Sequence, residues 1–223
     1  MTDAVTDKVP QFWSGSAGLI TSSKPLAERS AHDFYPTPQL LADVAINLLP
    51  NSFGTYPDIL DPGAGTGVWG NSARQRWPRA SVTGIEIRRE ARVGDAYNGL
   101  FHEDFLISRS VGWRDSFDLV IGNPPYNKAQ EFVEQSLLYT RTGGYVFFLL
   151  RLAFLESAKR AKTLYAQTPP TAVYVLAERP SFTGNNKTDA TAYAMFLWQK
   201  GVYEGTSLRW LSWKDPKKEI DNG

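Results

Sequence analysis

Ile59-Leu60-Asp61-Pro62-Gly63-Ala64-Gly65-Thr66-Gly67 is the stretch from which the fold is read. Two apolar residues run straight into a turn with glycine at alternate positions, and Val68 to Trp77 follows as a helix. Glycine lets the backbone turn tightly and approach a ligand closely, and the helix behind it presents its N-terminal N–H groups to an anionic group. A second strand, Ser81-Val82-Thr83-Gly84-Ile85-Glu86, ends in a carboxylate about twenty residues on, where an open α/β sheet holds a ribose diol. Strand, glycine turn, helix and strand predict a parallel sheet with helices on both faces.

A glycine turn with an acidic strand end also occurs in dinucleotide-binding domains, and two residues favour S-adenosylmethionine over NAD. Asp61 heads the turn, where it repels a pyrophosphate and welcomes an ammonium group. The third strand region ends in Glu103-Asp104-Phe105, in which a carboxylate can accept from an adenine amino group and the ring can pack on its face. The competing reading of Asp104 is a helix N-cap before Phe105 to Ser108.

Outward from this unit, Phe117-Asp118-Leu119-Val120-Ile121-Gly122 reads as a buried strand that opens into Asn123-Pro124-Pro125-Tyr126. Proline fixes φ, has no N–H and restricts the residue before it, so this turn is a rigid arc. It holds two acceptors, the Asn123 side-chain oxygen and the Pro124 carbonyl, beside the flat face of Tyr126. That set suits a planar heterocycle with an exocyclic amino group. Its nitrogen is a poor nucleophile because the lone pair is delocalised. Two acceptors on its hydrogens favour a pyramidal nitrogen and hold the freed lone pair toward a methyl donor.

The remaining chain is read more coarsely. Gln39 to Leu49, Lys128 to Arg141 and Phe154 to Gln167 carry helical periodicity. Tyr145 to Leu150, Ala172 to Ala177 and Ala190 to Trp198 read as strands, with Ser207 to Trp213 as a last edge strand. Residues 1–30 are polar and read as an arm, in which Phe12 and Trp13 are packed anchors or dock on the domain or a partner, and 31–223 as one domain. The chain has no cysteine, which removes thiolate nucleophiles and cysteine metal sites. Two histidines are too few for a metal cluster, so no metal is expected. A net charge of +1 does not advertise a strongly basic nucleic-acid binder, although Arg74-Arg76-Arg79 and Arg88-Arg89-Arg92 form local clusters. The polar N-terminus lacks a signal-peptide pattern and no stretch reaches membrane-spanning length, so a cytoplasmic protein without membrane contact is expected.

The order Phe34-Tyr35-Pro36-Thr37-Pro38, Asp61 to Gly67, Glu86, Asp104 and Asn123-Pro124-Pro125-Tyr126 resembles the amino-group DNA methyltransferases that make N6-methyladenine, in the gamma order. It is similar to the short forms of phages and prophages, and covers roughly Asp33 to Gly201. The glycine turn is shared by nearly all methyltransferases of the fold, while the Asn-Pro-Pro-Tyr motif also occurs in enzymes acting on RNA bases or a glutamine amide. The resemblance implies a Rossmann-like class I methyltransferase with a seven-stranded, mostly parallel sheet, S-adenosylmethionine as cofactor, and DNA with its target adenine flipped out as partner. The host is then a bacterial or phage-infected cell. The catalytic residues it implies are Asn123, Pro124, Pro125 and Tyr126. Tyr35, Thr37, Asp61, Gly63, Gly65, Gly67, Glu86, Asp104, Phe105 and Asn123 are implied as cofactor-binding, and Tyr126, Phe182 and Lys187 as substrate-binding. Phe182 closes the other side of the adenine pocket or packs in the core; Lys187 contacts phosphate or is solvated. Longer members carry a separate target-recognition domain, whereas the residues after Leu150 are expected only to complete the sheet. Specificity is then short or relaxed, coming from loops such as Ile107 to Ser116, the N-terminal arm, or a second copy in a homodimer.

Overall fold

The computed structural model describes residues 35–50, 53–91, 93–107, 112–182 and 190–215. The first helices and strands are α1 (Gln39–Ile46), β1 (Asp58–Asp61), α2 (Val68–Arg76), β2 (Ser81–Ile85) and β3 (Gly99–Phe101). Next come β4 (Phe117–Gly122), α3 (Ala129–Tyr139), β5 (Thr140–Arg151), α4 (Ala158–Lys162) and α5 (Leu164–Gln167). The chain closes with β6 (Ala172–Leu176), β7 (Tyr193–Gln199) and β8 (Ser207–Leu211).

The strands form one sheet in the order β3-β2-β1-β4-β5-β7-β6-β8. Only β7 runs antiparallel, pairing with β5 and β6. Among the described residues the sheet has eight strands against the seven that the resemblance implies; β8, the last edge strand read over Ser207 to Trp213, lies parallel to β6 at the edge, with Leu211 opposite Leu176.

Alternation along the central strands explains their unbroken apolar runs. Leu119, Ile121, Phe147, Leu149, Met195 and Leu197 face a core shared with α1 and α2, which supply Leu41, Ala45 and Ala73. Val120, Val146, Phe148, Leu150, Phe196 and Trp198 face the opposite core, with Phe132 and Val133 of α3. Helices on both faces leave no polar side for these strands, so successive residues are all apolar. No helix among the described residues is long and apolar enough to cross a membrane.

Two elements depart from expectation. The helix expected over Phe154 to Gln167 is broken into a 3₁₀ turn (Leu152–Leu155), α4 and α5. The Ser157 hydroxyl caps Arg160 N–H at 3.2 Å, and the Arg160 guanidinium collects the carbonyls of Phe154 and Glu156, each at 2.8 Å. Local capping thus restarts the helix at Ala158 against its apolar periodicity. The third strand stops at Phe101, short of Glu103-Asp104-Phe105. Asp104 instead folds the chain back on itself, its Oδ1 accepting Leu106 N–H at 2.9 Å.

Chain order places a switch point at β1, because the chain runs outward from β1 to β3 and then returns to lay β4 on β1's other side. The carboxyl ends of β1, β2, β4 and β5, and the start of antiparallel β7, therefore share one edge of the sheet.

Candidate active site

At that edge the glycine loop leaves β1 and meets the turn that leaves β4. A Cβ on Gly63 would lie 3.9 Å from the Asn123 carbonyl oxygen, and one on Gly122 would lie 3.0 Å from Asp61 Oδ1. Gly65 and Gly67 hold φ of 59° and 86°, values that favour glycine. At Gly67 space is lacking as well, since a Cβ would stand 2.4 Å from the Val93 carbonyl oxygen. Gly67→Ala is expected to lower folding stability by about 2 to 4 kcal/mol, combining left-handed strain with overpacking. Gly63→Ala, with neither problem, should stay within about 1 kcal/mol. Denaturant titration of the two variants checks this contrast.

Asn123 is the hub of the edge. Its Nδ2 donates to the Tyr35 carbonyl at 2.8 Å and to Thr37 Oγ1 at 3.2 Å. A carbonyl only accepts, so this pairing fixes which end of the amide is nitrogen. Among the described residues, Oδ1 is left buried with no hydrogen-bond donor. A buried acceptor without a partner costs about 1 to 3 kcal/mol, so its survival at a strand end points to an absent donor. Pro125 O accepts Lys128 N–H at 3.0 Å as the turn winds into a short 3₁₀ helix, whereas no hydrogen bond among the described residues ends on the Pro124 carbonyl.

Beyond Asn123 four aromatic rings close on one another. Tyr35 stacks on Tyr126 at 5.4 Å between centroids, Tyr126 lies 5.5 Å from Tyr193, Tyr193 is 5.1 Å from Phe182, and Phe182 is 5.6 Å from Tyr35. The Arg151 guanidinium carbon stands 4.9 Å from the Tyr126 centroid. Phe182 thus joins the cluster from the segment after β6 and is only 7% exposed. Tyr193 and Arg151 did not stand out in the sequence. Arg151 had a signal all the same, as the first polar residue after the apolar run of β5, the same position that marks Asn123 after β4.

Glu86 and Asp61 are both buried, with opposite consequences. Burial opposes ionisation of Glu86, but Arg88 outweighs it, holding the carboxyl below its usual range. Arg88 Nε and N–H each donate to Oε1 at 2.9 Å, and Gly65 N–H donates to Oε2 at 2.8 Å, so this carboxylate also braces the glycine loop. Asp61 has no cation beside it among the described residues. Burial pushes its carboxyl up to about 7, against hydrogen bonds from the Tyr97 hydroxyl and Gly63 N–H that lower it, while the Glu86 charge raises it further.

Other expected residues fall elsewhere. Phe105 is 2% exposed and packs on Phe132 at 4.9 Å and Tyr139 at 5.8 Å, so its ring is spent on the core instead of being offered to a ligand. Asp104 closes its own turn, and no helix follows it among the described residues. Of the basic clusters, Arg74 holds Asn98 at 2.6 Å, Arg76 the Leu49 carbonyl at 2.7 Å and Arg79 the Tyr56 hydroxyl at 2.9 Å, all contacts within the fold. Lys187, Arg92, Phe12 and Trp13 lie outside the described residues, as does part of the loop from Ile107 to Ser116.

No protein-family model matches the chain. Over 75 residues, 30% of the chain, it is 35% identical to the modification methylase CviBIII of Paramecium bursaria Chlorella virus NC1A. Over 101 residues, 44% of the chain, it is 29% identical to the type II methyltransferase M.CvrRI of Paramecium bursaria Chlorella virus XZ-6E. The chain spans 19% and 26% of the lengths of these relatives. A solved structure from Listeria monocytogenes, assigned to the class I S-adenosylmethionine-dependent methyltransferases, matches 81% of the chain and 67% of its own with a TM-score of 0.62 at 20% identity. The chain is thus similar in sequence to viral modification methylases and carries the class I methyltransferase fold.

Proposed function

We propose that the chain transfers a methyl group from S-adenosylmethionine to the N6 amino group of adenine in DNA, with short or relaxed sequence specificity. The observation that carries this reading is the buried Asn123 Oδ1, which has no donor although its amide is pinned through Nδ2. An exocyclic amino group supplies the missing donor, and the Pro124 carbonyl accepts its second hydrogen. The nitrogen lone pair is then free of the ring and directed away from both acceptors.

The residues at the edge fit the cofactor. The glycine loop Gly63, Gly65 and Gly67 leaves room for close approach, Asp61 suits the ammonium group, Glu86 suits the ribose diol, and Tyr35 and Thr37 flank the reacting edge. Bound there, the cofactor supplies an electrophilic methyl group on a sulfonium. Arg88 shares the Glu86 carboxylate with any diol, since both oxygens already accept from it at 2.9 and 3.2 Å.

Tyr126 is the stacking face for the substrate base, with Phe182 and Tyr193 behind it. In the free chain that face is covered by Tyr35 and Arg151, so an incoming base displaces one of them. Extruding a base from a duplex costs a few kcal/mol, and stacking returns about 1 to 3 kcal/mol. Similarity to proteins named modification methylase and type II methyltransferase supports reading the substrate as DNA in preference to RNA or a protein amide. Tritiated S-adenosylmethionine offered in parallel to DNA, RNA and protein tests the reading. Label is expected in DNA and recovered as N6-methyladenine after digestion; label only in RNA, in protein or on cytosine overturns it.

A further inference from the structure

Tyr97 lies between β2 and β3 and belongs to none of the motifs. Its ring nevertheless passes through a slot between two glycines on different elements. A Cβ on Gly70 of α2 would lie 2.7 Å from the ring's Cζ, and a Cβ on Gly84 of β2 would lie 2.9 Å from its Cδ1. Through that slot the hydroxyl donates to Asp61 Oδ2 at 2.7 Å. Asp61 Oδ1 accepts Gly63 N–H at 3.2 Å and faces Gly122. The other charge acting on it among the described residues is Glu86, past the end of β2, which itself pairs with Arg88. Gly70 and Gly84 each meet this ring closely, which gives the absence of side chains at both positions a single cause.

We propose that Tyr97 is a positioning residue for the amino-acid end of the cofactor. Its donation to Oδ2 fixes the rotation of the Asp61 carboxylate and leaves Oδ1 to the glycine loop, where the ammonium group binds. The proposal rests on the cofactor reading given above. Burial favours the neutral form of this carboxyl, and the hydrogen bond from the Tyr97 phenol opposes that effect most strongly. A phenol also orients without neutralising, so the charge stays available to a ligand cation in a way that a lysine or arginine partner would not allow.

Two ligands separate this role from a merely structural one. S-adenosylhomocysteine carries the ammonium group, whereas 5′-methylthioadenosine keeps the adenosine and thioether without the amino acid. Tyr97→Phe is expected to weaken S-adenosylhomocysteine about tenfold or more at pH 7, as for a lost hydrogen bond to a charged group, and to leave 5′-methylthioadenosine within about twofold. In the parent chain, affinity for S-adenosylhomocysteine should fall as pH drops below about 7, toward tenfold per pH unit. In Tyr97→Phe the fall begins at higher pH, while 5′-methylthioadenosine stays flat in both. Adding Tyr97→Phe to Asp61→Asn should cause no further loss, because the phenol acts through the carboxylate. Equal weakening of both ligands, an unmoved pH profile, or an additive double variant overturns the proposal. Parent chain that binds neither ligand overturns the cofactor reading itself, whereas normal parent binding with an indifferent Tyr97→Phe removes only the role of Tyr97.

Discussion

Asn123→Ala is expected to lower methyl transfer by at least about 10³-fold, while S-adenosylhomocysteine binds within about twofold of the parent. The size follows from what the amide does for the amino group. A preorganised hydrogen-bonding group aimed at developing charge is worth about 10² to 10³ in rate, and here the same group also sets the orientation of the nucleophile. The rigidity comes from Tyr35 and Thr37, which hold Nδ2 at 2.8 and 3.2 Å and so prevent the amide from turning its acceptor away. The variant loses those two bonds but also removes a buried acceptor that had no donor. Losses and gains of about 1 kcal/mol each then roughly offset in folding stability. Single-turnover transfer of tritium, beside calorimetric binding of S-adenosylhomocysteine, separates chemistry from binding. Transfer at the parent rate would sink the assignment of Asn123.

How far the sequence alone leads depends on the range of the interaction that decides each element. The strand-loop-helix unit at Asp61 and the turn at Asn123 are local: alternate glycines and paired prolines dictate their geometry within a few residues, and both turns lie where the sequence put them. The continuous apolar runs of β4, β5 and β7 also identify a sheet covered on both faces. The helix expected over Phe154 to Gln167 was misread because its break depends on one arginine finding three backbone carbonyls, which periodicity does not register. Phe105 was misread because an aromatic beside a carboxylate is equally suited to a ligand or to the core. Only the packing of Phe132 and Tyr139 decides. Tyr97 could not have been found, since its partner lies 36 residues away and its slot is defined by two glycines that look ordinary in isolation.

Asp61→Asn should stabilise the free chain at pH 8 and weaken its response to cofactor. The unfolded carboxyl titrates near 3.8 and the folded one near 7, because burial disfavours its charge more than Tyr97 and Gly63 favour it. A raised folded value means that the stability contributed by the protonated form is fully present below pH 3.8 and is lost as pH rises through 7. At about 1.4 kcal/mol per pH unit, the ionised carboxylate lowers folding stability by on the order of 4 kcal/mol above pH 7. An asparagine stays neutral at every pH. Its Oδ1 can still accept from Gly63 N–H, and its amide nitrogen can donate to the Tyr97 hydroxyl, which accepts as readily as it donates. At about 2 to 4 °C per kcal/mol for a chain of this size, Tm should rise by roughly 8 to 16 °C at pH 8 and hardly at all near pH 4. S-adenosylhomocysteine should then raise the Tm of the parent by more than that of the variant, because only the parent has a buried charge for the ammonium group to compensate. A variant less stable than the parent at pH 8 would show that the carboxylate is already compensated in the free chain. A ligand-induced shift as large as the parent's would show that Asp61 does not meet the ammonium group. Either result places the cost of the buried charge somewhere other than in cofactor binding.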